Sequence, residues 1–241
     1  MKFITSIVSI AALVSGLQAR CAKICPEVLS CKNEPVDSCC SPSLGLAALA
    51  LQWTAGMGPA DQWTIHGLWP NRCDGTWPEN GCDPARNYTN IGEIVASDPA
   101  LQTKMTTFWP SNKGVHPPFW THEWVKHGTC LSTVEPRCSK TSELYADVKA
   151  YFNLTLKLRE KFNLYQYLKD GGVVPGRTYT REQIEAAFKK ALNAKVTLTC
   201  KGKKLLEVVI YNNFKGKDDL VPIDSKDPGN CPSTGIEYDP K

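Results

Sequence analysis

Histidine is scarce in this chain. Only His66, His116, His122 and His127 occur among 241 residues. After residue 17 no stretch approaches the ~18 continuous apolar residues of a membrane span, so no membrane span is expected. There is no internal repeat and no low-complexity tract, which excludes a solenoid or tail-like architecture. The cysteines include no repeated C-x-x-C pair, which argues against a cysteine-based metal site. Strong charge of either sign is also missing. The net charge of +4 permits an anionic partner without requiring one.

What is present begins with an export-type leader. Lys2 supplies a short positive region. Phe3 to Leu17 form an apolar stretch broken only by Thr5, Ser6, Ser9, Ser15 and Gly16, and Ala19 is a small residue before the cut. Residues 1–19 are therefore read as a signal peptide and 20–241 as a single mature domain, secreted to the extracellular space or to an acidic vacuolar or lysosome-like compartment. The eleven cysteines fit that route as a disulfide framework, and because the count is odd one thiol is left over or pairs between chains. Asn87 (Asn-Tyr-Thr) and Asn153 (Asn-Leu-Thr) are acceptor triplets for N-glycosylation.

Local patterns give a mixed set of elements. "LGLAALALQW" (44 to 53) reads as a buried strand, with helix as the alternative because Ala and Leu favour it. "QWTIHGLW" reads as a second strand ending at Pro70, and 71 to 90 as a Gly/Pro/Asn-rich loop held by Cys73 and Cys82. "SDPALQTKMTTFW" opens a helix with Pro99 in its first turn. Residues 142 to 169 read as two helical pieces, and "TREQIEAAFKKALN" as a helix with a Thr180/Gln183 capping box. "KVTLTC" and "KLLEVVIYNNF" form a hairpin whose Lys201, Lys203 and Lys204 are a solvated turn. Without regular alternation, the expected class is α+β.

Three of the four histidines fall in two short segments, "WTIHGLWP" (63 to 70) and "FWTHEWVKHGTC" (119 to 130). The second invites comparison with the zinc motif H-E-x-x-H, but its histidines are five apart. On a helix that turns the second ring about 140° from the first, so one ion does not readily take both. No metal and no cofactor is expected. The same helix gathers His122, Glu123, Lys126 and His127 into one polar sector while Trp120 and Trp124 point inward. Taken alone, such a sector is equally a solvated face with ordinary charge pairs. With His66 added, the set suffices to cleave RNA without metal. The ribose 2′-hydroxyl is an internal nucleophile, one imidazole removes its proton, another protonates the departing 5′ oxygen, and cations hold the phosphoryl oxygens.

"IHGLWP" and "HEWVKHGTC" resemble the two active-site segments of the ribonuclease T2 family. The Cys39-Cys40 pair, "QWTAGMGP" and "FWPSN" resemble its fungal branch. The resemblance implies an α+β fold with a central antiparallel sheet and packed helices. It implies a monomeric secreted endoribonuclease acting on single-stranded RNA, not DNA, with low base specificity, through a 2′,3′-cyclic phosphate to 3′-phosphate ends. Carried over by position, the catalytic set is His66, His122, Glu123, Lys126 and His127, with His127 as general base and His66 as general acid in the first step. His122 is placed at the phosphate, and Lys126 and Glu123 support the transition state. The upstream base pocket falls on Trp69, Asn71 and Trp77, with Asn71 where some fungal members carry aspartate. The second base site falls on Gln52, Pro110, Ser111, Asn112 and Phe119, beside a departure at Lys113. His116 matches neither segment and is read as a loop residue. The resemblance also implies disulfides Cys25–Cys40, Cys31–Cys73, Cys39–Cys138, Cys82–Cys130 and Cys200–Cys231, leaving Cys21. The alternative function is a secreted effector or toxin that binds a host receptor, glycan or protein, with RNA cleavage secondary.

Overall fold

One alanine-rich strand, buried on both faces, decides how the domain is built. In the computed structural model, which describes residues 25–32, 36–139 and 141–241, strand β1 (Leu46–Gln52) is buried at every position. A strand hidden on both faces reads as a continuous apolar run, which is why this Ala/Leu segment is not a helix. β1 lies between β2 (Thr64–Asn71) and the long β5 (Lys204–Lys215), antiparallel to both.

Between β2 and the last third of the chain come helices α1 (Ile91–Ala96), α2 (Pro99–Phe108), α3 (His116–Lys126), α4 (Ala146–Lys161) and α5 (Leu164–Asp170). Then follow β3 (Arg177–Tyr179), α6 (Arg181–Leu192), β4 (Thr197–Lys201), β5, β6 (Asp219–Pro222) and β7 (Ile236–Tyr238). Among the described residues the sheet has seven strands, running β2-β1-β5-β7-β3 with β4 and β6 also on β5. All pairs are antiparallel except β5 with β7, which meet in parallel at Lys204 and Glu237. The domain is thus a single α+β unit, its sheet antiparallel but for that one contact.

Caps explain where the helices start. The Asp98 carboxylate accepts from the N–H groups of Ala100 and Leu101 at the head of α2, with Pro99 in the first turn. The capping box of α6 is complete, since Thr180 and Gln183 exchange side-chain and backbone bonds. The core lies between the helices and one sheet face, around Leu49, Leu51, Ile65, Leu68, Trp109, Trp124, Tyr151 and Phe152. The opposite face carries a smaller cluster of Ala48, Ala50 and Val209 with Trp69 and Tyr211 against it.

Among the described residues five disulfides staple the domain: Cys25–Cys40, Cys31–Cys73, Cys39–Cys138, Cys82–Cys130 and Cys200–Cys231. These are the same pairs that the resemblance implies. Bridges of this kind typically contribute ~2–4 kcal/mol each, chiefly by restricting the unfolded chain. The leader and Cys21 lie outside the described residues. No described helix is long and apolar enough to cross a membrane.

Candidate active site

His66 owes its direction to a fault in the sheet. The β1–β2 register runs Ala50↔Gly67 and then Leu51↔Ile65, so His66 is an extra residue with no partner of its own. The consequence shows in Ile65 and Leu68, three apart yet both in the core. In a regular strand they would face opposite ways. Such a bulge re-aims a side chain, as is common beside active sites. The carbonyl of His66 accepts from the indole N–H of Trp109 at 2.9 Å, and its ring turns to the sheet face opposite the core.

There it meets Glu207 on β5, whose Oε2 lies 2.5 Å from His66 Nδ1. Burial works against a charge on this ring. The hydrogen bond to Glu207 and the negative charges of Glu207 and Glu123 outweigh it, so the pKa of His66 is raised. With Nδ1 engaged by the carboxylate, Nε2 is the nitrogen left for a substrate.

The neighbouring glycine is required by contact. A Cβ on Gly67 would collide with Glu123 Oε2 and Trp69 Nε1, the two atoms joined by a 3.0 Å hydrogen bond that the indole donates. That bond ties β2 to α3, which supplies the opposite wall. Trp120 and Trp124 of α3 point into the core as the four-residue spacing predicts, and Glu123 is buried with them at 1% exposure. Burial pushes the Glu123 carboxyl up to about 7, although His66, the Trp69 hydrogen bond and Lys126 all favour its charge.

The helix reading of His127 needs correction. α3 ends at Lys126, and His127 leaves the helix with φ −124° and ψ −46°. Its ring centroid comes to 6.4 Å from that of His122. One potential ligand atom from each of His122, Glu123 and His127 lies within 4.8 Å of the others, so a five-residue spacing does not keep these rings apart. The donor set is a poor cation site for a different reason. Lys126 adds a positive charge beside it, and Glu123 is half protonated near neutrality. Burial and then Lys126, His122 and His66 lower the pKa of His127 to about 3. Burial, then Lys126 and His66, lower that of the exposed His122.

Both histidine segments border one cleft of about 410 Å³, lined by His66, His122, Glu123, Lys126 and His127 together with Trp69, Asn71, Trp77 and Tyr211. The indole of Trp69 sits between the two outer imidazoles, its centroid 5.0 Å from His66 and 5.4 Å from His127. Asn71 is buried at the end of β2, whereas Trp77 is 58% exposed.

The other carried-over base site lies apart from this cleft. Gln52, Pro110, Ser111, Asn112 and Phe119 do not line it. Of these, Phe119 reaches His66 by a 6.0 Å ring contact. Gln52 is buried and donates to the Ile65 carbonyl. His116 is not a loop residue. It opens α3, and its Nδ1 accepts from the Ser111 N–H at 3.1 Å, ordering that loop. Asn87 and Asn153 are both exposed, the latter in mid-α4 with its amide donating to the Lys149 carbonyl.

Two residues of the site carry no mark in the sequence. Glu207 and Tyr211 come from β5, far along the chain, and no motif surrounds them. The only available signal is the β-hairpin alternation, which puts residues 207, 209 and 211 on one face of the strand.

Comparison with known proteins places this geometry. The ribonuclease T2 family profile matches residues 29–231. Ribonuclease Rh of Rhizopus niveus is 38% identical over 240 residues, covering 98% of this chain and 99% of its own. Ribonuclease T2 of Aspergillus oryzae is 38% identical over 232 residues, covering 90% and 84%. Among solved structures, the T2 ribonuclease Actibind superposes with a TM-score of 0.82 at 34% identity, covering 89% of this chain and 96% of that one.

Proposed function

The chain belongs to the ribonuclease T2 family of endoribonucleases, and from that premise we propose a secreted enzyme that cleaves single-stranded RNA by histidine acid–base chemistry. The observation that carries the mechanism is the opposite displacement of two imidazoles on one cleft. The pKa of His66 is raised, which favours its protonated form, while His127, at about 3, is neutral throughout the mildly acidic range. Two titratable groups driven apart by their surroundings are the mark of an acid and a base with separate tasks.

In the first step neutral His127 takes the proton of the 2′-hydroxyl as its oxygen bonds to phosphorus. Protonated His66 delivers a proton from Nε2 to the 5′ oxygen as the P–O5′ bond breaks, which leaves a 2′,3′-cyclic phosphate. Each transfer is worth roughly 10²–10⁴-fold. Water then opens the ring with the two roles exchanged, giving a 3′-phosphate. Lys126 and His122 face the phosphoryl oxygens. Glu123 is neutral below its pKa of about 7 and donates a hydrogen bond there.

Base specificity is low in this reading because aromatic faces stack on any base, worth ~1–3 kcal/mol each. Trp69 and Trp77 supply those faces, and Asn71 reads an edge as both donor and acceptor. Gln52, Pro110, Ser111, Asn112 and Phe119 serve the base on the other side of the scissile bond. The leader at 1–19, export, glycosylation at Asn87 and Asn153, and a monomeric state belong to the same proposal. Incubating the purified protein with a short RNA of mixed sequence, with and without EDTA, and identifying the product ends tests it. Cyclic and then 3′-phosphates at an unchanged rate are expected. Loss of cleavage in EDTA, restored by zinc, would replace it with a metal mechanism at His122, Glu123 and His127.

A further inference from the structure

A second groove continues from the catalytic cleft. It holds about 550 Å³, and Trp77 and Tyr211 border both spaces, forming a partition between them. Its floor is apolar, from Leu46 on β1 and Ile223 just beyond β6. The Cys31–Cys73 disulfide also lines it. Sheet pairing sets this layout. Leu46 stands opposite Asn213, and Ala48 opposite both Trp69 and Tyr211, so the Trp69–Ala48–Tyr211 row of the cleft leads toward the Leu46–Asn213 row of the groove.

The rim is polar and mostly acidic. Asp74, Asp224 and Asp227 lie on it with Asn213 and Lys226, and Lys189 Nζ stands 3.6 Å from Asp224 Oδ1. Each aspartate uses Oδ1 locally: Asp74 for the Thr76 N–H and hydroxyl, Asp224 for the Lys195 N–H, and Asp227 for the Gly229 N–H. No described residue donates a hydrogen bond to any of the three Oδ2 atoms. The carboxylates that line the groove disfavour a phosphate in contact with them. Carboxylate and amide oxygens do accept from the N–H groups on a nucleobase edge, and an aromatic partition above an aliphatic floor suits its π-face.

We propose that this groove is a further base-binding subsite, taking the base of the nucleotide that lies 5′ to the one stacked at Trp69. It rests on the cleavage reading above for its direction. If Trp69, Asn71 and Trp77 hold the base upstream of the scissile bond, the space beyond Trp77 receives the next base upstream. Lys226 at the rim meets the phosphate between the two. The enzyme thereby favours oligonucleotides over isolated dinucleotides and reads length on one side only.

The test is a substrate ladder on the full purified chain. Its members are a dinucleotide, the same unit extended by one nucleotide at its 5′ end, the unit extended at its 3′ end, and the 5′-extended unit with an abasic sugar at the added position. The 5′ base is expected to raise kcat/KM by roughly 5- to 100-fold, the span of one stacked base. The abasic version loses that gain. Asn213→Ala and Ile223→Ala keep dinucleotide turnover, which reports that they fold, and lose most of the 5′ advantage. Equal gains from 5′ and 3′ extension, a gain retained by the abasic substrate, or variants that keep the full advantage would each overturn the subsite. The same ladder with 2′-deoxyribose at the scissile position, titrated by tryptophan fluorescence, gives affinities independent of turnover. A failure of the groove is therefore distinguishable from a failure of the cleavage reading.

Discussion

Glu207 Oε2 and His66 Nδ1 stand 2.5 Å apart across 141 residues of sequence, and this contact sets both the charge and the orientation of the imidazole. Glu207 touches no reacting atom in the proposed mechanism. It acts through His66 as a positioning residue. Glu207→Gln keeps a hydrogen-bond acceptor and removes the charge. His66 then loses its proton at lower pH, so the alkaline limb of the kcat/KM profile moves to lower pH while the acidic limb, set by His127, stays. A merely structural role for Glu207 would lower the rate at every pH and leave both limbs in place.

Gly67 is the second pressure point. A methyl group there strikes the Glu123–Trp69 hydrogen bond, which joins the two walls of the cleft. Gly67→Ala is expected to lower kcat by roughly 100-fold, the cost of displacing catalytic groups by about 1 Å. Circular dichroism should keep its native form. An alanine variant with wild-type turnover would mean that the walls do not depend on this contact.

The elements built from local rules were readable in the sequence. Thr180 and Gln183 announce the start of α6, and Ser-Asp-Pro that of α2, because a cap needs only neighbours in the chain. The two histidine segments that share the cleft were readable as well, since His66 and the 122–127 cluster each sit in a dense local pattern. What was hidden depends on partners far away. Glu207 becomes part of the site only because β1 brings β5 alongside β2. The bulge at His66 exists only in the register of two strands. The position of His127 was misjudged because a spacing rule assumes that the helix continues, and α3 stops one residue earlier. The Ala/Leu run of β1 favours helix in isolation and is a strand because both its faces are covered.

Glu123 carries a stability signature whose sign can be worked out. Its pKa is about 7 when folded and ~4.3 in an unfolded chain. Between these values the native state holds more protons, so raising the pH through this window costs stability. His127 works the other way, since its folded value of about 3 lies below the unfolded ~6.5. Glu123→Gln removes only the first effect. The Tm of the variant relative to wild type should therefore rise from pH 5 to pH 8. A difference that stays flat over that range would show that Glu123 is not held neutral by burial.

The most direct test of the account is the turnover of a dinucleotide by His66→Ala and by His127→Ala, each checked for a native circular dichroism spectrum. Two imidazoles sharing one scissile phosphate predict that either change alone lowers kcat by roughly 10²–10⁴-fold. Because the two act as a unit, the double variant should cost little more than the worse single one. Turnover within a few-fold of wild type in both folded variants would contradict the claim that these rings carry the reaction.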